Sequence, residues 1–218
     1  MRVVGGRLRG RALAPPKSRA IRPTADRLRE SLFNILLHAY GDPVSGARVL
    51  DLFAGTGALG IEAASRGAAF ALFVDDSAEA RALMRENVAA LGLGGVSRIF
   101  RRDATKLGPA HPLAPFSLAF LDPPYGQGLA TATLNSLNGY SGGPPIAPDP
   151  RDPRNRPVMP PDYLQSDNGR LYDSALIAHA VLSDGQGELT VVAVAHPGED
   201  LHEVKKQLAE RIANAVLH

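Results

Sequence analysis

Cysteine and tryptophan are both absent from the 218 residues. Without cysteine there is no disulfide framework and no thiolate zinc site. No run is long and apolar enough to cross a membrane. The first nine residues hold two glycines and three arginines but no apolar signal-peptide core. His38, His111, His179, His196, His202 and His218 lack metal-ligand spacing, so no metal is expected. Together these absences predict a soluble, cytoplasmic, monomeric protein. At this length one main domain with an appendage is the natural organisation.

Charge is scarce in total and uneven in place. The net charge is +2, yet Met1 to Ser31 carries nine Arg or Lys against two acids, so this segment is +7 and the remainder −5. A polyanion partner near the N-terminus is the expectation. Residues 1–23 read as a basic arm, a β-hairpin of two short strands around a glycine-containing turn. Arg7, Arg9 and Arg11 stand two apart, which in extended chain puts them on one face suited to phosphates.

Residues 24–138 read as the core. Thr24 is placed as an N-cap and Asp26 in the first turn of a helix running to about Tyr40. Its apolar stripe is Leu28, Leu32, Ile35, Leu36 and Ala39. The segment Arg48 to Gly60 then runs from an apolar strand into three glycines, Gly55, Gly57 and Gly60, and a helical stretch follows. This is the strand–glycine loop–helix unit of an α/β nucleotide-type site. Three further apolar strands follow, at Phe70–Val74, Val96–Phe100 and Phe116–Leu121, with a helix from about Ala78 to Leu91. Strands alternating with helices predict a mostly parallel, doubly wound sheet.

In such a sheet, ligands bind beyond the carboxyl ends of the strands. Those four ends carry Asp51 with the glycine loop, Asp75, Asp103, and Asp122-Pro-Pro-Tyr125. The spacing of the glycines also fits a dinucleotide, and Asp75 twenty residues after Gly55 suits a ribose in either case. Asp51 and the other acids favour a cationic ligand over a pyrophosphate. A Walker phosphate loop is excluded, since no Gly-Lys-Ser/Thr follows. Pro123 and Pro124 fix φ and remove two N–H donors, leaving carbonyls as acceptors beside the Asp122 carboxylate. Two acceptors gripping the hydrogens of an exocyclic amine aim its lone pair at an electrophilic methyl. Tyr125 offers a ring on which an extruded base stacks.

Val49-Leu-Asp-Leu-Phe-Ala-Gly-Thr-Gly57 with Asp122-Pro-Pro-Tyr125 resembles the S-adenosylmethionine-dependent amino-methyltransferases. The N-terminal Met1-Arg-Val-Val-Gly-Gly-Arg-Leu-Arg-Gly-Arg11 and Arg22-Pro-Thr-Ala-Asp-Arg-Leu-Arg-Glu-Ser-Leu-Phe-Asn34 narrow this. They are similar to the bacterial 16S rRNA guanine-N2 methyltransferases of the small ribosomal subunit. The resemblance implies a Rossmann-like class I methyltransferase fold, S-adenosylmethionine as cofactor, and small-subunit rRNA or the assembling small subunit as partner. It implies that Asp51, Phe53, Ala54, Gly55, Thr56 and Gly57 form the cofactor loop. Asp75 would take the ribose hydroxyls, and Asp103 with Ala104 the adenine. Asp122, Pro123, Pro124 and Tyr125 would hold the target base. Arg7, Arg9, Arg11, Arg22, Thr24 and Arg27 would meet RNA. The two motifs alone leave DNA adenine, RNA guanine and protein glutamine enzymes open; rival readings are adenine-N6 methylation of DNA or another RNA, a non-catalytic RNA-binding or assembly protein, and, more distantly, a nicotinamide enzyme.

After residue 138 the resemblance ends, and the family's Trp-Leu-x-Pro-Gly-like turn has no counterpart. Residues 139–169 read as a proline- and glycine-rich linker or long loop, and 170–218 as an atypical α/β segment. Within it a helix is expected over Leu171–Leu182, a strand over Glu188–Ala195 able to replace the family's fifth, and a helix over Glu199–Leu217. Fusion, substitution and a shifted reading frame are the alternative origins of this tail.

Overall fold

The computed structural model describes residues 1–16, 18, 21, 24–108, 112–124, 129–137, 176–183 and 188–195. The apolar runs become strands: β1 (Arg48–Leu52), β2 (Phe70–Val74), β3 (Ser97–Phe100) and β4 (Leu118–Leu121). Every residue of β4 is buried, as is all of β1 and β2 after the first residue. A parallel strand covered on both faces needs such continuous apolar sequence. Later in the chain come β5 (Leu176–Ser183) and β6 (Glu188–Ala195).

The six strands lie in the order β3-β2-β1-β4-β6-β5. All neighbours pair parallel except β5 with β6, which pair antiparallel. The order reverses at β1, between β2 and β4, so the switch point lies where β1 and β4 end. Register brings the ends level. Leu52 is opposite both Val74 and Leu121, and Val74 is opposite Phe100.

Among the described residues, four helices flank the sheet: α1 (Asp26–Ala39), α2 (Ala58–Ser65), α3 (Ala78–Ala90) and α4 (Leu129–Ser136). Alternation along the strands sorts the core. Val49, Ala71, Phe73, Leu118 and Phe120 face α1, α2 and α3; Leu50, Leu52, Leu72, Ala119 and Leu121 face the other way, with Phe116 and Leu137. On α1, Leu32, Phe33 and Leu36 are buried against Val49, Phe120 and Val192. Ser77 caps α3 by accepting the Ala80 amide at 3.3 Å.

Four expectations are corrected. The N-terminal arm is not a two-stranded hairpin. It forms one antiparallel bridge, Arg2 with Ala12, and Gly6–Leu8 is a turn of 3-10 helix. Arg7 lies in that turn, so the three arginines do not share an extended face, although all three are exposed. The reason is the polar anchoring described below, which bends the backbone at Gly6, φ +70°. Thr24 does not cap α1. Ala25 stands at the N-cap without a side-chain bond, and the Thr24 hydroxyl donates elsewhere. Leu176–Ser183 is a strand, not part of a helix over 171–182. An apolar run is ambiguous between the two forms, and a full eight-pair register with β6 settles it. By contrast, β6 takes the fifth position beside β4 as anticipated. The loop over 139–169 and the helix over Glu199–Leu217 fall outside the described residues.

Gly60 occupies a position where a side chain has no room. A Cβ there would lie 2.5 Å from Phe73 Cε1 and 3.0 Å from Asp51 Oδ2. Phe73 is fully buried and cannot yield. Gly60→Ala is expected to destabilise the protein by about 1–3 kcal/mol. Gly94→Ala, where a Cβ meets nothing within 4 Å, should stay within about 0.5 kcal/mol of wild type. Urea unfolding of the two variants checks this.

Candidate active site

The level strand ends bring Asp51, Asp75 and Asp122 close enough for Asp51 to feel the other two carboxylates. Asp51 is 1% exposed, and its Oδ2 accepts the Gly60 amide at 2.8 Å. That bond joins the end of β1 to the first turn of α2. Asp75 follows β2 and binds the glycine loop from the side: its Oδ2 accepts the Gly55 amide at 2.9 Å and its Oδ1 the Ser77 amide at 2.9 Å. The loop itself turns through left-handed conformations at Phe53 (φ +56°), Gly55 (+54°) and Gly57 (+77°). A phenylalanine there is strained, whereas glycine is not. Phe53 packs partly buried on the core beneath.

The carboxylates feel one another. Burial pushes the Asp51 carboxyl well above its ordinary 3.8, the Gly60 amide opposes this, and repulsion from Asp122 and Asp75 adds to it. Burial also raises Asp75, against its two amide donors, with Asp76 adding repulsion and Arg81 opposing it. Clustered, partly desolvated carboxylates favour a ligand that brings positive charge. S-adenosylmethionine carries a sulfonium and an ammonium, so this cluster of carboxylates beside the glycine loop fits it.

Asp103 is set apart. It stands at the end of β3 as expected, but it is exposed and serves its own turn. Its Oδ1 accepts from the Thr105 amide at 2.8 Å and the Thr105 hydroxyl at 2.7 Å, and these bonds lower its carboxyl. Ala104 is buried, and its carbonyl accepts Ser136 Oγ of α4 at 2.6 Å. Beyond β4, Asp122 is half-buried, Pro123 buried and Pro124 exposed. Tyr125 and Arg22 fall outside the described residues. Arg27 is exposed on α1. Among the described residues no three His, Cys, Asp or Glu side chains meet as a metal site, and no helix is long and apolar enough to cross a membrane.

Several residues that hold the site together were not singled out from the sequence. Glu62, buried on α2, accepts the Val4 amide at 2.8 Å and pairs with Arg66 at 2.8 Å. Ser65 Oγ accepts the Leu8 amide at 2.9 Å and donates to the Gly5 carbonyl at 2.6 Å. Asn87 on α3 accepts the Ala14 amide at 2.8 Å and donates to the Thr56 carbonyl of the glycine loop at 3.0 Å. Arg29, fully buried on α1, donates to the Thr24 carbonyl at 2.5 Å, to the Arg2 carbonyl, and to Asp26 at 2.8 Å. The signal was present in each case: a polar residue on the apolar side of its helix. Arg29 lies three, four and seven residues before Leu32, Phe33 and Leu36.

A carboxyl raised by folding binds its proton more tightly in the native chain than in the unfolded one. Stability from Asp51 is therefore greatest at low pH and is lost as pH rises through the raised value. Asp51→Asn removes this titration. The ligand-free variant should melt above wild type, by a margin that widens as pH rises through the range above ordinary carboxylate values. Calorimetry across that range would show a constant margin if Asp51 were not the source.

Residues 1–141 match the family described as conserved hypothetical protein 95. The chain is 42% identical over 143 residues to ribosomal RNA small subunit methyltransferase D of Escherichia coli, covering 64% of this chain and 69% of that protein. It is 32% identical over 139 residues to the protein of the same name from Haemophilus influenzae, covering 63% and 70%. Among solved structures, the proposed methyltransferase yhhF of Escherichia coli superposes with a TM-score of 0.53 at 36% identity, over 65% of this chain and 74% of that one. A hypothetical protein of Thermus thermophilus superposes with a TM-score of 0.52 at 37% identity, over 66% and 81%. The fold is the Rossmann-like class I methyltransferase fold. A glycine loop pinned by Asp51 and Asp75, a basic arm anchored beside it and a match across both place this chain in the conserved hypothetical protein 95 family.

Proposed function

We propose that the chain transfers a methyl group from S-adenosylmethionine to the exocyclic N2 of one guanine in small-subunit rRNA. The observation that carries this is the Asp122-Pro123-Pro124 turn, which leaves β4 level with the glycine loop and shares an electrostatic environment with Asp51. The relatives named as ribosomal RNA small subunit methyltransferases support rRNA as the substrate. The Arg22-Pro-Thr24 and Arg7–Arg11 segments, similar to the guanine-N2 enzymes, support guanine N2 as the acceptor.

When bound, S-adenosylmethionine supplies an electrophilic methyl group. Asp51 and residues Phe53 to Gly57 would hold it, with Asp75 toward its ribose and Asp103 and Ala104 toward its adenine. The chain's own contribution is to the amine. A guanine N2 is weakly nucleophilic because its lone pair is delocalised into the ring. The Asp122 carboxylate and the Pro123 carbonyl are acceptors, and the prolines offer no competing N–H. Accepting the two amine hydrogens localises the lone pair and fixes its direction. Rate enhancement then comes from orientation and from acceptors already in place. Tyr125 would stack the extruded base. The exposed Arg7, Arg9 and Arg11 would meet RNA phosphates.

Tritiated cofactor and undermodified small subunits test the reading. Label is expected in N2-methylguanine; label in adenine or in protein instead would sink it. Asp122→Ala should lower transfer by about a hundredfold or more while cofactor affinity stays near wild type. Replacing Arg7, Arg9 and Arg11 together by alanine should weaken RNA binding and flatten its log–log salt dependence by about two to three. An unchanged slope would remove the arm from the RNA interface.

A further inference from the structure

Thr24 has a role other than the helix cap or RNA contact its sequence position suggests. Its hydroxyl donates to Asp122 Oδ2 at 2.8 Å, across 98 residues of chain. Its own carbonyl is held from behind by Arg29 Nη1 at 2.5 Å. Arg29 is completely buried and is fixed in turn by Asp26 and the Arg2 carbonyl. The hydroxyl is thus mounted on a rigid base and aimed at one oxygen of the carboxylate.

The terminal torsion of an aspartate is soft and broad, so a carboxylate alone does not define where its lone pairs point. A hydrogen bond to one oxygen removes that freedom. With Oδ2 pinned, the plane of the group and the direction of Oδ1 are set together. The hydroxyl donates rather than accepts, so the carboxylate keeps its acceptor character toward an amine. We propose that Thr24 is a positioning residue: its hydroxyl orients the Asp122 carboxylate so that the acceptor amine is gripped in the reactive geometry.

This rests on the reading that Asp122 receives the amine. Thr24→Val keeps the shape of the side chain and deletes the hydroxyl; Thr24→Ser keeps the hydroxyl. Thr24→Val should lower kcat by about ten- to a hundredfold, with the KM for RNA changed by less than about threefold. Thr24→Ser should restore kcat to within about threefold of wild type. Independently of activity, the carboxyl carbon-13 resonance of Asp122 in the ligand-free protein should move in Thr24→Val and return in Thr24→Ser. A wild-type kcat in Thr24→Val, a loss confined to KM, an equal loss in Thr24→Ser, or an unmoved resonance overturns the proposal. The kinetic ratio is read with whichever acceptor the wild type methylates. Label in adenine therefore defeats the guanine reading without deciding this one. If the wild type methylates nothing, the resonance alone decides.

Discussion

A carboxylate buried in the middle of a parallel sheet is the constraint around which this chain is arranged. Asp51 is inside, on the α2 side of β1, and the Gly60 amide is the donor that makes its burial tolerable. For that amide to reach it, α2 must begin within a few residues of the strand. The loop between them therefore turns through left-handed backbone, and Phe73 presses so close that only glycine fits at 60. The same short turn sets the glycine loop at the sheet's switch point, the place where open α/β sheets bind ligands. Charge burial, loop conformation and site location are consequences of one hydrogen bond.

The basic arm is integrated with that centre rather than appended to it. Its amides at Val4, Leu8 and Ala14 are accepted by side chains of α2 and α3, each such bond contributing about 1 kcal/mol net. Arg29 closes the arrangement from α1 by binding the arm at Arg2 and the active-site entry at Thr24. The exposed Arg7, Arg9 and Arg11 are thereby carried on a segment whose course is set by the helices that flank the glycine loop.

How much of this was legible follows from what sequence patterns encode. Strand ends were legible because buried parallel strands are unbroken apolar runs, and an acid or a glycine marks where each run stops. Those markers locate Asp51, Asp75, Asp103 and Asp122 at one edge without coordinates. They do not reveal that Asp103 commits its carboxylate to Thr105 while the other three interact, because side-chain partners two residues away compete invisibly with distant ligands. Thr24 was misread as a cap for the same reason, its true acceptor lying 98 residues on. The arm was misread as a ribbon because Glu62, Ser65 and Asn87, which bend it, sit in helices whose pattern otherwise declares only a core. The run at Leu176–Ser183 had no periodicity to distinguish helix from strand, and pairing with β6 decided it.

Asn87 carries a further consequence. One amide side chain, 2% exposed, touches the arm at Ala14 and the glycine loop at Thr56. A group shared by the arm and the glycine loop ties the two together. Displacing Ala14 or Thr56 from this side chain would leave an amide group buried without its partner, so the course of the arm and the shape of the glycine loop share one structural support.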